Sequence, residues 1–380
     1  MKILVTGAKG FVGKNLCAEL NNRNRERVKQ QLALDVIFEY DLDTPIENLS
    51  SWCSECDFIF HLAGVNRPQH QTEFKEGNVD FTAQVLELLR KHNNKAPILL
   101  SSSIHAAKEG QPYGDTKRES EQLLFDYGQA EGVKTYVFRL ANLFGKWCRP
   151  NYNSVIATFC YNAARGLPLT INDPNAEVPF VYIDDVIDHF IAALTDDLKP
   201  GEDGFYRVEP IYPVTIGRLA ELLESFVASR TTLELPNLDD GFEKKLYSTY
   251  LSYLEPDRFS YNLKMHIDDR GSFTEFLRTP DRGQVSVNIA KPGIVKGNHW
   301  HHTKNEKFLV VSGKAAIRFR KIDEDEVIEY VVDGNNLRVV DIPVGYTHQI
   351  ENIGDTDLVT IMWVNEPFDP DRPDTYFLPV

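Results

Sequence analysis

Apolar residues are laid out along this chain in two different textures. Up to about residue 200, short apolar runs at 2–6, 36–40, 58–62, 98–101 and 135–140 alternate with longer stretches of helical periodicity, such as 78–92 and 116–130. Strand–helix–strand alternation of this kind predicts a parallel sheet with helices on both faces. Residues 184–194 and 215–229 read as helices that complete this domain. The stretch 231–260 is polar and tyrosine-rich, with Pro236 and Pro256, and reads as an ordered connector. Beyond it the pattern turns to short β-branched strands at 284–289, 306–311, 315–320 and 358–364. Gly and Pro punctuate them every ~8–12 residues, the spacing of a sandwich or barrel. The expectation is an α/β Rossmann-type doubly wound parallel sheet in residues 1–255, followed by an all-β barrel in residues 256–380.

Composition agrees with two packed domains: 380 residues exceed the usual limit for one core, and 42% of them are hydrophobic. The 56 acidic residues against 41 basic ones leave a net charge of -15. That excess opposes attraction to nucleic acid or anionic membranes, while leaving room for a small anionic ligand in one basic pocket. Residues 1–7 read as a core strand entering a glycine turn rather than as a leader. No apolar run approaches the ~18 residues of a membrane span, so the cytoplasm is the expected compartment and no membrane insertion is expected. The five cysteines are sparse. Cys53 and Cys56 form one C-x-x-C pair beside Trp52 with no second pair, which favours packing over zinc or redox chemistry.

Gly7-Ala8-Lys9-Gly10-Phe11-Val12-Gly13 follows the first predicted strand and opens a helix. Glycines there permit a tight turn and close approach to a pyrophosphate, which then faces the helix N-terminus. Tyr113 stands four residues before Lys117, on one helical face. An ammonium so placed lowers a phenol pKa and makes Tyr113 a usable proton donor to a carbonyl. Ser103 closes a serine run directly after a buried-type strand, where it can hold the substrate oxygen beside Tyr113.

With His61-Leu62-Ala63-Gly64, Arg139-Leu140-Ala141-Asn142-Leu143-Phe144-Gly145 and Phe180-Val181-Tyr182-Ile183-Asp184-Asp185-Val186, these residues resemble the extended short-chain dehydrogenase/reductase family over roughly residues 1–200. The resemblance implies a catalytic trio of Ser103, Tyr113 and Lys117 acting on a nucleotide-linked sugar, with Asn142 at the substrate. It implies a nicotinamide cofactor held by Gly7, Lys9, Gly10, Phe11, Val12, Gly13, Leu62, Ala63 and Gly64, with Tyr113 and Lys117. Serine and tyrosine are separated by ten positions, 113 − 103, a shorter connection than in many members. Ile104-His105 stand where dehydratases of the family carry an acidic pair, which disfavours dehydration and leaves reduction or 4-epimerisation. Asp41 at the end of the second strand favours a free ribose hydroxyl and NAD(H). Lys9 favours a 2′-phosphate, and Asp41 also reads as the start of a loop.

In the C-terminal half, Gly293, His299-Trp300-His301, Glu306 and Gly313 match the first cupin motif. Pro343, Gly345, His348 and Asn352 match part of the second, with Leu337 in place of its leading glycine. Strand alternation puts His299 and His301 on one face, joined by Glu306 and His348 from neighbouring strands. His302 falls on the opposite face as a spare or outer ligand. Three imidazoles and a carboxylate suit zinc, iron, manganese or nickel, and Zn2+ is the expectation. Asp269-Arg270-Gly271-Ser272-Phe273-Thr274-Glu275-Phe276 and Lys296-Gly297-Asn298-His299 also resemble the sugar-nucleotide 3,5-epimerases, themselves cupins. In that family the residue matching His299 is a general base, so His299 has two candidate roles, ligand or base. Arg270 and Lys296 are candidate substrate or phosphate partners, or ordinary surface charges.

End to end, including segments 145–154 and 298–306, the chain resembles the bifunctional reductase–cupin enzymes of capsular polysaccharide biosynthesis. That resemblance implies C3 epimerisation of a UDP-4-keto-6-deoxy-N-acetylhexosamine at the cupin. Reduction of the C4 ketone follows at the other domain, on the route to UDP-N-acetyl-L-fucosamine. NADPH is the expected reductant, with NADH left open by Asp41, and a homodimer is expected because cupins pair through their strands. The alternative is a sugar-nucleotide 4-epimerase with tightly held NAD and a non-catalytic barrel for dimerisation. Retention of Ser103, Tyr113 and Lys117 argues against a purely regulatory protein.

Overall fold

The computed structural model describes residues 1–279 and 281–380. The chain divides into two compact units, residues 1–223 with 245–254, and residues 224–244 with 255–380. It therefore passes between them at 223/224, 244/245 and 254/255.

The first unit opens with β1 (Lys2–Thr6), α1 (Phe11–Lys29), β2 (Val36–Tyr40), α2 (Ile46–Glu55) and β3 (Phe58–His61). A short α3 (Thr72–Phe74) runs through a π-helical turn, Lys75–Asp80, into α4 (Phe81–Lys91). Then come β4 (Ile98–Ser103), α5 (Pro112–Glu131) and β5 (Thr135–Leu140). The strands lie in the order β2-β1-β3-β4-β5, every pairing parallel. Alternation explains the continuous apolar runs. Ile3, Val5, Phe58 and Phe60 enter one core cluster with Leu16 and Phe190, while Leu4 and Ile59 enter the other with Leu86 and Leu124. A sheet covered on both faces needs apolar residues at every position. The first crossover reverses direction beside β1, which puts a ligand crevice at the carboxyl ends of β1 and β3.

β6 (Asn142–Phe144), α6 (Val155–Arg165), β7 (Glu177–Tyr182), α7 (Ile183–Ala192) and β8 (Tyr212–Thr215) follow, with β6, β7 and β8 forming a three-stranded sheet. α8 (Ile216–Thr232) and α9 (Gly241–Leu251) straddle the division between the units. The stretch 231–260, expected as a connector, contains α9. Phe242, Leu246, Thr249 and Tyr250 are its buried side, a helical spacing that the intervening tyrosines and lysines mask. Cys53 and Cys56 are free and buried, and burial pushes both thiols up to about 12, as packing residues require.

α5 carries most of the polar structure in the first unit. Pro112 stands in its first turn and Gly132, at φ 66°, caps its end. One face presents Tyr113, Lys117 and Glu121 at successive intervals of four. Glu121 is buried and accepts from the Ser102 hydroxyl at 2.5 Å and from Arg139 at 3.0 and 2.7 Å. Arg139 also lies over the Phe205 ring, 3.5 Å from its centroid.

The second unit contains β9 (His266–Asp268), β10 (Gly271–Thr279), β11 (Gly283–Ala290), β12 (Val295–Trp300), β13 (Glu306–Ser312), β14 (Lys314–Lys321), β15 (Val327–Asp333), β16 (Val339–Ile342), β17 (Tyr346–Asn352), β18 (Leu358–Val364) and β19 (Tyr376–Phe377). They form two antiparallel sheets, β16-β13-β18-β11-β10-β9 and β15-β14-β17-β12-β19. Phe308, Val310, Ile317, Phe319, Ile342 and Ile350 make its apolar core. The inner face of β11 is instead polar. Gln284, Ser286 and Asn288 are all buried, with Phe273 of β10 and Thr360 of β18 opposite Asn288. Among the described residues no helix is long and apolar enough to cross a membrane.

Breaking a buried ion pair from one side leaves the other charge stranded and costs about 3–5 kcal/mol. Glu121→Ala should lower the urea midpoint of the first unit accordingly. Glu121→Leu combined with Arg139→Met should recover most of the loss, and equal midpoints for Glu121→Ala and wild type would refute the assignment.

Candidate active sites

The glycine turn is built around two close approaches. Gly7 has φ +70°, and a methyl group there would lie 2.8 Å from the Ala63 backbone nitrogen. At Gly13 a methyl would lie 2.1 Å from the Gly7 carbonyl oxygen. α1 starts from Gly10 with no side-chain cap, so its first N–H groups remain for an anion. Lys9 and Asp41 meet: the Asp41 carboxylate accepts the Lys9 backbone N–H at 2.7 Å and the Leu42 N–H at 2.8 Å. The Lys9 ammonium pairs with the exposed Asp43.

Lys117 is the polar centre of this crevice. Its ammonium donates to the Ser101 carbonyl at 3.1 Å. A methyl built on Gly64 would sit 2.9 Å from that ammonium and 2.9 Å from the Asn78 side-chain oxygen. Burial pushes Lys117 down to about 8, with Glu121 acting in the opposite sense. Tyr113, half-buried, lies against Phe74 and His105. Burial raises its phenol above the ordinary range, and the neighbouring Ser103 hydroxyl partly offsets this. The shift thus runs opposite to the one expected from the Tyr–Lys spacing, because burial of the phenol outweighs the hydrogen bond from its neighbour. Asn142 begins β6 and donates to the Pro179 carbonyl at 3.1 Å.

A buried chain of hydrogen bonds supports these groups from behind. Thr82 donates its hydroxyl hydrogen to the Asn78 carbonyl at 2.6 Å, so it can only accept from His61 Nε2, 2.9 Å away. Thr6 accepts the Ala63 N–H at 3.3 Å and lies 2.8 Å from His61 Nδ1. Donor and acceptor accounting therefore fixes His61 as the neutral Nε2–H tautomer. Burial, with the positive charge of Lys117 behind it, pushes His61 down to about 3. Asn78 closes the network by donating to Val65 and Thr116, both at 3.1 Å, from within the π-helical turn.

The barrel site draws on three strands or their ends, β12, β13 and β17. Gly297 and Asn298 both have positive φ, and the register of β12 slips there, which sets His299 opposite His348 on β17. The donor atoms of His299, His301, Glu306 and His348 all lie within 4.8 Å of one another. Glu306 Oε2 is 3.2 Å from His348 Nε2 and 3.8 Å from His301 Nε2. These three atoms are buried without a hydrogen-bond partner among the described residues. Buried polar atoms are otherwise satisfied almost everywhere in proteins, so a converging set of orphans fits a metal-ligand set. Burial lowers His299, with His348 adding to the effect, to about 4. Burial raises Glu306, but pairing with His301 and His348 prevails and holds it near about 2. A neutral imidazole and an ionised carboxylate are the forms that bind metal. His302 lies outside the cluster, its ring against Trp300 and Tyr376.

A cavity of about 610 Å³ opens onto the cluster, with His299, Glu306, His348, Lys296, Asn288 and Arg270 among its lining. Lys296 donates to Asn288 at 2.8 Å, to the Ile289 carbonyl at 2.9 Å and to the Ser272 carbonyl at 3.4 Å. Three acceptors on one amine mark it as a held ammonium. Arg270 is more exposed and clasps Asp268 at 2.6 and 3.0 Å.

Residues 3–205 match the family described as NAD dependent epimerase/dehydratase, and residues 266–376 match the polysaccharide biosynthesis C-terminal domain. The chain belongs to the NAD dependent epimerase/dehydratase family. It is thus an enzyme of a nicotinamide-dependent family, extended by a second domain. It is similar to the capsular polysaccharide assembling protein CapF from Staphylococcus aureus, at 56% identity, complete coverage of both chains and a TM-score of 0.91. It is 44% identical over 376 residues, 99% of this chain and 98% of the relative, to the UDP-2-acetamido-2,6-beta-L-arabino-hexul-4-ose reductase of Pseudomonas aeruginosa. A UDP-glucuronic acid 4-epimerase from Bacillus cereus shares the fold over 67% of this chain and 98% of its own, at 20% identity and a TM-score of 0.53.

Sequence reasoning passed over three polar residues of this family member's sites: Asn78, His61 as more than a motif letter, and Asn288, whose amide nitrogen is buried without a partner among the described residues. Asn288 had a legible signal, being one of three alternating polar positions on an otherwise apolar strand. Asn78 had none, since only the π-helical turn turns it toward Lys117.

His61 has a pH consequence. Its ring takes a proton near 6.5 when unfolded and near about 3 when folded. Between those values the unfolded state binds more protons, so stability falls as pH falls, by up to about 1.4 kcal/mol per pH unit. His61→Gln keeps one donor and one acceptor but does not titrate. Its deficit against wild type, measured by denaturant titration, should shrink steadily from pH 6.5 to 4; a constant deficit would contradict the buried-neutral assignment.

Proposed function

We propose that this enzyme carries two active sites acting in turn on one UDP-linked keto sugar, a UDP-4-keto-6-deoxy-N-acetylhexosamine. The barrel inverts C3, and the nucleotide-binding unit reduces C4, on the route to UDP-N-acetyl-L-fucosamine for a capsular polysaccharide. The observation that carries this reading is a proton-loaded Tyr113 beside Ser103 in one unit, together with a cavity ending in an unsatisfied His–Glu cluster in the other. Relatives named as a UDP-sugar reductase and as a capsular polysaccharide assembling protein support the substrate class and the setting.

In the barrel, His301, Glu306 and His348 hold a divalent cation, Zn2+ in this reading. When bound it supplies Lewis acidity at the C4 ketone and so acidifies the C3 proton. The Lys296 ammonium faces the same cavity and stabilises negative charge on the sugar or its phosphates, with Arg270 at the rim. His299 has two supported roles. Its donor atom belongs to the four-member cluster, which favours a ligand. It also lines the cavity and is absent from the orphaned atoms, which favours the base that takes the C3 proton.

In the other unit, the turn at Gly7, Gly10 and Gly13, with Lys9, Phe11 and Val12, receives the cofactor pyrophosphate; Leu62, Ala63 and Gly64 line its far side. The bound nicotinamide supplies the hydride to C4. Ser103 donates to the carbonyl oxygen, and Tyr113 delivers the proton to it. A phenol raised by burial is fully protonated at neutral pH, which suits reduction. Lys117 binds cofactor hydroxyls, and Asn142 contacts the sugar. NADPH is favoured because the Lys9–Asp43 pair is exposed and screened by solvent, which leaves Lys9 free to turn to a 2′-phosphate. Asp41 keeps NADH open. Reduction removes the ketone that makes C3 acidic, so the second step locks the stereochemistry of the first. A cytoplasmic homodimer completes the reading: the cysteines are free, and β15, an edge strand, exposes Val327, Ile328, Tyr330 and Val331.

Tyr113→Phe should cut cofactor oxidation by ~10²–10⁴-fold while solvent deuterium still enters C3 at the wild-type rate. Loss of deuterium incorporation in that variant would contradict separate sites. His299→Asn separates the two roles: retained Zn2+ with lost exchange identifies a base, and lost Zn2+ identifies a ligand.

A further inference from the structure

The segment 373–380 is laid along the strand that bears His299 and leads into His301. β19 pairs with β12, Phe377 opposite His299 and Tyr376 opposite Trp300. Leu378 N–H donates to the Asn298 carbonyl at 2.9 Å, and Val380 N–H to the Asn298 side-chain oxygen at 3.2 Å. Both reach the left-handed residue at which β12 slips register. Arg320 donates to the Pro379 carbonyl at 2.7 Å, and Lys304 donates to the Pro373 carbonyl.

Asp374 makes the decisive contacts. One carboxylate oxygen accepts the His302 N–H at 3.0 Å. The other accepts the N–H groups of Thr303 and Lys304 at 2.9 and 3.0 Å and the Thr303 hydroxyl at 3.2 Å. Its side chain thereby cages the turn directly after His301. Its own backbone carbonyl lies 2.5 Å from His301 Nδ1. A carbonyl only accepts, so Nδ1 carries the hydrogen and Nε2 keeps its lone pair. That Nε2 is the buried, unpartnered atom 3.8 Å from Glu306 Oε2. Asp374 adopts φ 40°, a left-handed conformation that aspartate and asparagine tolerate better than most residues.

We propose that Asp374 is the positioning residue of the barrel's metal site: its carbonyl fixes the tautomer and ring of His301, its carboxylate holds the turn that follows, and segment 373–380 clamps the slipped register of β12. This rests on the metal reading given above. Outer partners of histidine ligands are worth ~10–100-fold in metal affinity.

The test uses the full chain with Zn2+ in competition with a chelator, and Co2+ as a spectroscopic replacement. The far-ultraviolet circular dichroism spectrum and the thermal transition of each metal-free variant, compared with wild type, report that its barrel is folded. Asp374→Ala should bind Zn2+ ~10–100-fold more weakly and release it faster, with an altered Co2+ visible spectrum. Asp374→Asn, which keeps an acceptor and tolerates the backbone angle, should recover part of the loss. Wild-type affinity and an unchanged Co2+ spectrum in Asp374→Ala would overturn the proposal while leaving the metal reading intact. Failure of the wild-type chain to take up Zn2+ or Co2+ would instead remove the metal reading and this inference with it. Should Asp374→Ala not fold, the full chain carrying Asp374→Asn decides: Zn2+ release faster than wild type supports the role of the carboxylate, and equal release overturns it.

Discussion

An ammonium group placed where water scarcely reaches must find partners or lose its charge, and the first unit is arranged around that demand. Lys117 is 6% exposed. Its position draws in the Ser101 carbonyl near the end of β4 and the Glu121 carboxylate one turn along α5. Glu121 is itself held by Arg139 and Ser102, and Asn78, beside Gly64, by Val65 and Thr116. Gly64 cannot become larger without displacing the same ammonium. The rigidity of this crevice thus comes from satisfying one buried charge, in a setting of low dielectric where unsatisfied groups are expensive.

The barrel inverts that logic. There the chain gathers polar atoms on His301, Glu306 and His348 that have no hydrogen-bond partner among the described residues, and Glu306 and His348 line a cavity. The core on one side of the cluster is apolar, Phe308 and Ile350 among it, while Lys296 and Asn288 supply polar groups on the other. Such an arrangement is unstable as packing and sensible as a binding site. In the proposed reading the two units supply complementary chemistry: a proton donor kept loaded by burial in one, and a cluster for a Lewis acid in the other.

Much of this was legible in the residue order. The two textures of apolar spacing separated parallel from antiparallel sheets, because a strand buried on both faces and a strand buried on one leave different patterns. Tyr113 with Lys117, and His299-Trp300-His301 with Glu306, announced themselves through spacing on a helix face and along a strand. The stretch holding α9 was misread because its buried positions, Phe242, Leu246, Thr249 and Tyr250, are diluted by polar neighbours. Asn78, Asp374 and the role of His61 left no local trace, since each acts through contacts with residues more than a dozen positions away in sequence.

Sequence alone determined the fold class, the glycine turn and the set of candidate side chains, because periodicity, backbone sterics and residue chemistry are local properties. The tertiary structure decided the protonation states and the geometry. The four-residue interval between Tyr113 and Lys117 suggested an acidified phenol, yet burial raises it, because desolvation depends on everything packed around the ring and no spacing rule contains that information. Likewise the tautomer of His301 follows from a carbonyl 73 residues further along the chain. Local order names the groups, and only their packing sets where protons reside.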